Sequence, residues 1–149
     1  MVDILINIFS AVLGTIGFCF MLRVRKHRLP SIAISTAVCY SCYLLVYHFT
    51  QTDFISITTA SIVAAISAEL LARFLKAPVT IFLIPTILPL VPGAKLYYTI
   101  ESFFQGEMRV AMGFFSGLGR DIGAILIGII LVSTISKCIK DAKNTALQK

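Results

Sequence analysis

Residues 79–104 make an apolar run long enough to cross a bilayer, yet Pro85, Pro89, Pro92 and Gly93 fall inside it. Proline has no backbone N–H, so a continuous helix here would leave the carbonyls of Ile81, Pro85 and Leu88 without their usual partners. Hydrocarbon offers no water to replace those bonds. Broken backbone is tolerated at that depth only where it packs against protein or lines a wet cavity. Discontinuous helices are also the best sequence pointer to a transport site. The chain is therefore expected to be organised around this break.

The rest of the chain has the solvent preference such a break requires. Of its 149 residues 58% are hydrophobic and only 13% are charged, and the mean hydropathy is +0.92, whereas a soluble domain carries about 25% charged residues. The expected fold is all-α: one polytopic membrane bundle with spans at 4–22, 31–49, 54–74, 79–104 (broken near 92–93) and 112–135, then a basic tail over 136–149. The first run is not read as a cleaved signal, because Asp3 precedes it and its basic residues follow it, the reverse of a signal peptide.

The net charge of +6 is placed by loops rather than by a face. Arg23, Arg25, Lys26, Arg28, Arg73, Lys76, Lys137, Lys140, Lys143 and Lys149 fall on one side of a five-span topology, against Lys95 and Arg109 on the other. Ten against two places the N-terminus outside and the C-terminus in the cytoplasm. No basic face interleaved with aromatics is available for stacking on bases, so no nucleic-acid partner is expected. The four cysteines include a lone Cys39-x-x-Cys42 pair within an apolar run, read as small packing residues. No nucleophile–base pair, carboxylate pair or metal-ligand cluster is evident, so neither an enzyme nor a cofactor or metal site is expected.

Within the broken span, Pro92 is suited to open a second half-helix. The N–H groups of Gly93, Ala94 and Lys95, with the positive end of the helix dipole and the lysine charge, would then meet an anionic group such as a substrate carboxylate. A structural kink with Lys95 snorkelling outward is the competing reading. Elsewhere, Glu69 precedes Arg73 by one turn in the favourable order for an ion pair, and it serves either as an end-of-helix pair or in coupling. Arg120 and Asp121 lie in the last apolar run, where a charge at the bilayer centre costs about 2.5–3.5 kcal/mol; the register leaves them either buried or interfacial. In that run Gly113/Gly117 and Gly119/Gly123 make two small-xxx-small pairs suited to close helix contact. Tyr40, Tyr43, Tyr47 and His48 are read as interfacial.

Residues 84–93, Ile-Pro-Thr-Ile-Leu-Pro-Leu-Val-Pro-Gly, followed by Tyr97, resemble the signature of the threonine/serine exporter family. In particular they resemble its second, smaller transmembrane module, of the YjjB type. The resemblance implies export of small amino acids or of dicarboxylates such as succinate across the bacterial inner membrane, with a larger subunit of the same family as partner. It maps the family motif onto Pro85, Pro89, Pro92, Gly93, Ala94, Lys95 and Tyr97; it assigns nothing to Glu69, Arg73, Arg120 or Asp121. Five spans with few polar groups make a thin wall for a whole pathway, so a homo-oligomer is a further expectation. A non-catalytic assembly subunit and a passive channel are the alternatives.

Overall fold

The computed structural model describes the backbone of residues 2–147 and side chains from 4 to 139; Lys149 and the side chains of Lys140 and Lys143 lie outside the described residues. Six α-helices follow one another: α1 (Val2–Met21), α2 (Leu29–Thr50), α3 (Asp53–Phe74), α4 (Thr80–Ile87), α5 (Gly93–Phe104) and α6 (Met108–Leu147). Four of them contain stretches long and apolar enough to cross a membrane, and α4 with α5 forms a fifth as a pair bent by 58°. No strand occurs among the described residues. The protein is thus the expected helical membrane bundle with a broken fourth span.

The helix ends follow local chemistry. Pro30 occupies the first turn of α2, where its missing N–H is not needed. α1 ends with Arg23 in the left-handed region (φ 53°), while Val24 N–H reaches the Cys19 carbonyl and Arg23 N–H that of Phe20, a Schellman closure. Lys76 (φ 46°) ends α3 with a matching six-to-one bond from Ala77 N–H to the Ala72 carbonyl. At the other end of the bundle Gly106 (φ 79°) closes α5 through Glu107 N–H and the Ser102 carbonyl. Two basic residues thus hold a conformation glycine adopts more readily.

α3 is the central helix, packed against α2 on one side and α6 on the other. Its buried stripe, Ile57, Ala60, Ala64, Ala68 and Ala72, is nearly all alanine, which lets neighbouring backbones approach. The closest approach is on α6 at Gly128. A Cβ there would lie 3.0 Å from the backbone nitrogen of Ile62 and would collide with the Ser61 side chain. The expected contact glycines behave differently: an added Cβ at Gly113, Gly119 or Gly123 meets nothing within 4 Å, and at Gly117 it meets only the Lys95 side chain at 3.7 Å. Within this chain, therefore, neither of those two pairs makes a close helix contact. Spacing identifies glycines able to approach a neighbour, but the crossing point is set by which residue of α6 faces Ser61.

Two apolar clusters fill the bundle, one around Cys39, Ile57, Ala60, Leu90 and Ala124, the other around Cys19, Ile32, Ala68, Ala72 and Phe82. The broken span contributes to both. Phe82 of α4 is fully buried in the second, and Leu90, at the end of a 3-10 turn over Leu88–Leu90, in the first. α6 does not stop at Ile135 but continues as one helix to Leu147, so the basic tail extends a helix rather than hanging from it. Ser136, where the tail was expected to begin, is buried.

Candidate functional site

The break redirects the chain where a cavity opens. Val91 N–H closes the 3-10 turn on the Leu88 carbonyl at 3.2 Å, so the carbonyl that Pro92 cannot serve is satisfied by the residue before it. Gly93 N–H is taken by the Val91 carbonyl at 2.8 Å, and the first regular bond of α5 runs from Leu96 N–H to the Pro92 carbonyl. Of the three N–H groups expected at the head of α5, that of Gly93 is therefore already used. Pro85 lies one turn deeper, buried in α4, where its carbonyl accepts from Leu88 N–H and from the Thr15 hydroxyl at 3.5 Å.

Lys95 turns inward from the first turn of α5. Its Nζ donates to Asp53 Oδ2 at 3.1 Å and to Asp121 Oδ2 at 2.5 Å. One ammonium thus joins the start of α3 to the middle of α6 through the break. The three groups differ in exposure: the side chain of Asp121 is 2% exposed, that of Lys95 29% and that of Asp53 37%. Asp121 Oδ1 is buried without a hydrogen-bond partner. A buried carboxylate oxygen left unpaired is costly, and this one belongs to a residue lining a cavity.

That cavity has a volume of about 210 Å³ and is bounded by Pro89, Pro92, Ala94, Lys95 and Asp121, with Tyr40, Tyr43 and Asp53 opposite. It falls below the ~300–1,000 Å³ of drug-sized pockets, so it suits a small solute. Tyr40, Tyr43 and Tyr47 stack along α2 with ring centroids 5.7 and 5.9 Å apart, and the first two form the aromatic wall.

The structure brings together Pro89, Pro92, Ala94, Lys95 and Asp121 from the residues singled out in sequence. It sets Tyr97 apart, 62% exposed and packed edge-on to Tyr98; Gly93 is exposed as well. Arg120 is also exposed, so the register question has a divided answer: Asp121 is buried and its neighbour is not. Glu69 and Arg73 pair at 3.6 Å, with Arg73 Nη2 also donating to Ser136 at 2.8 Å. Sixteen residues at 1.5 Å each put Glu69 about 24 Å along α3 from Asp53. Sequence reading missed Asp53, taken as turn, and Tyr40 and Tyr43, taken as interfacial. The i, i+3 spacing of the tyrosines was the available signal for a shared face; Asp53 gave none until α5 folded back on it.

A membrane bundle whose broken span places one lysine between two carboxylates in a small interior cavity has the build of a solute transporter. The family model described as "Threonine/Serine exporter, ThrE" matches residues 7–135, and the chain belongs to that family of threonine/serine exporter-type transporters. The family implies a transporter rather than an enzyme, and with the apolar helices it makes the chain a multi-pass membrane protein. No curated protein matches the chain, and no solved structure does.

Proposed function

We propose that the chain is a subunit of a secondary exporter of small amino acids, threonine and serine, in the bacterial inner membrane, and that the cavity at the break is its substrate site. The observation that carries this reading is the Asp53–Lys95–Asp121 cluster with its unpaired buried oxygen. The substrate carboxylate takes a place on the Lys95 ammonium, helped by the N–H groups of Ala94 and Lys95 at the positive end of α5. The substrate ammonium takes Asp121 Oδ1, and the aromatic faces of Tyr40 and Tyr43 favour the same cation. Pro89, Pro92 and Gly93 supply the break that aims α5; Pro85 and Tyr97 act at one remove, through the turn below and the outer face of α5.

Charge ranks the candidate substrates. One ammonium against two carboxylates leaves the cluster at −1, and a zwitterion adds nothing to that sum. Succinate would bring two more negative charges beside two carboxylates, so amino acids are favoured over dicarboxylates. The coupling role falls to Asp121, since Glu69, Arg73 and exposed Arg120 lie outside the cavity. A larger subunit of the family is the proposed partner. The test is efflux of labelled threonine, serine and succinate from cells expressing this chain with that subunit. Threonine and serine efflux lost in Lys95→Met, with the complex still assembled, is the expected result; unchanged efflux would remove the cavity from consideration.

A second reading, an assembly subunit, draws on Gly113, Gly119 and Gly123, which have room for a neighbour that this chain does not supply. It predicts that leucine at those positions dissociates the complex while Lys95→Met leaves transport intact.

A further inference from the structure

A cavity larger than the one at the break lies elsewhere in the bundle. It is a groove of about 370 Å³ between α3 and α6, walled by Ile66, Leu70, Leu131, Ile135 and Ile139 and closed at one end by Glu69, Arg73 and Ser136. The five apolar walls are each between 46% and 58% exposed, so the groove opens sideways from the bundle. Its volume lies within the ~300–1,000 Å³ range of ligand pockets.

The lining is apolar almost throughout, and Arg73 contributes its hydrocarbon stem to it while the guanidinium is held at the edge. Arg73 comes from the last turn of α3, and its Nη2 is fixed by the Ser136 hydroxyl at 2.8 Å and by Glu69 at 3.6 Å. Both contacts use one nitrogen of a five-donor fork, and 48% of the side chain is exposed, so phosphate oxygens can be gripped by the remaining N–H groups. Among the described residues, Lys76 and Lys137 are exposed and close to Arg73 and Ser136 in the chain. This is the end of the bundle that also carries the Arg23–Arg28 loop, hence the cytoplasmic side by the positive-inside rule. Basic pockets between spans on that side suit anionic lipid headgroups.

We propose that this groove is a binding site for an anionic phospholipid of the cytoplasmic leaflet, with an acyl chain between α3 and α6 and its phosphate on Arg73. The site is separate from the substrate cavity and does not depend on it. A bound lipid there would brace the same two helices that Lys95 joins at the opposite end, which ties the membrane's lipid composition to the packing of the transport bundle.

The test uses the full chain, purified and delipidated in mild detergent, with thermal unfolding followed as phosphatidylglycerol, phosphatidylethanolamine, phosphatidylcholine or inorganic phosphate is added. Phosphatidylglycerol is expected to raise Tm by several degrees more than the other two lipids, and inorganic phosphate to do nothing. Arg73→Gln should remove the phosphatidylglycerol increment alone, and Leu131→Trp, which fills the groove, should remove the increments of all lipids. Should Leu131→Trp fail to fold, native mass spectrometry of the wild type and Arg73→Gln decides: retained phosphatidylglycerol adducts in the first and their loss in the second are expected. Equal shifts from all three lipids, a full increment in Arg73→Gln, or a phosphate effect matching the lipid would overturn the proposal. So would a disulfide-linked dimer formed in membranes by Ile66→Cys and not by the wild type, because a second copy would then cover the groove.

Discussion

α3 offers a carboxylate to a basic side chain at two places, Asp53 and Glu69, about 24 Å apart along the helix. At the Asp53 end the lysine comes from a third helix through a proline break, and its stronger partner, Asp121, is 2% exposed. At the Arg73 end the pair lies within one helix, and the arginine side chain is 48% exposed. An exposed pair contributes about 0–1 kcal/mol, whereas removing one partner of a buried pair costs about 3–5 kcal/mol. The cavities differ in the same sense: two tyrosines and three charged groups line one, while the other is apolar along its length. Burial, rather than the presence of a charge pair, separates the proposed solute site from the pair at the other end of α3.

The sharpest way to break this comparison is to remove the buried cation. Lys95→Met leaves the Asp121 carboxylate without a partner, so export should fall to background and Tm should drop, the underlying stability loss being about 3–5 kcal/mol. Adding Asp121→Asn removes the orphaned charge. Tm should then recover while export stays at background, since the substrate carboxylate has nothing to meet. Recovery of export in the double variant would mean that the pair only holds helices together.

Between the two charged places α3 and α6 touch through Gly128. Gly128→Leu should cost about 1–3 kcal/mol or more through overpacking against Ser61 and the backbone of Ile62. Gly113→Leu, with nothing within 4 Å of its Cβ, should leave the Tm of the isolated chain unchanged. Equal losses in the two variants would show that the 113/117 face is packed after all, by a second copy or a partner.

How much of this was readable in sequence depended on the distance over which each feature is decided. Hydropathy located the spans because burial in lipid is set residue by residue, and the prolines marked the break because the missing N–H is a local fact. Asp121 was flagged as a charge in an apolar run, but its depth relative to Arg120 was not, since one residue of rotation around α6 separates a buried side chain from an exposed one. Asp53 was hidden for a different reason. A carboxylate at the first residue of a helix is ordinary, and only the 58° bend of α5 turns it into a ligand of Lys95. Gly128 was overlooked although Ala124 stands four positions before it, because only glycine–glycine pairs were considered; its role comes from Ser61, 67 residues earlier.

Asp53 tests the gradation within the buried cluster. It holds the same ammonium as Asp121 but at 3.1 Å and with 37% of its side chain exposed, so water screens it and can replace it. Asp53→Asn should lower stability by about 1 kcal/mol or less and weaken substrate affinity several-fold without abolishing export, because Lys95 still has Asp121. Efflux measured against internal threonine concentration should show the higher half-saturation value with the maximal rate largely kept.

The smallest effect is expected at the opposite end. Glu69→Gln keeps the shape of the side chain, leaves Arg73 bonded to Ser136, and weakens an ion pair whose arginine is 48% exposed, so stability should change by about 1 kcal/mol or less and threonine efflux should stay near the wild-type rate. The same substitution raises the net positive charge beside the lipid groove by one, which should strengthen rather than weaken the phosphatidylglycerol increment. Efflux lost in Glu69→Gln with Tm intact would place a coupling carboxylate at both ends of α3, and the division between a solute site and an anchor would give way to two gates on one helix.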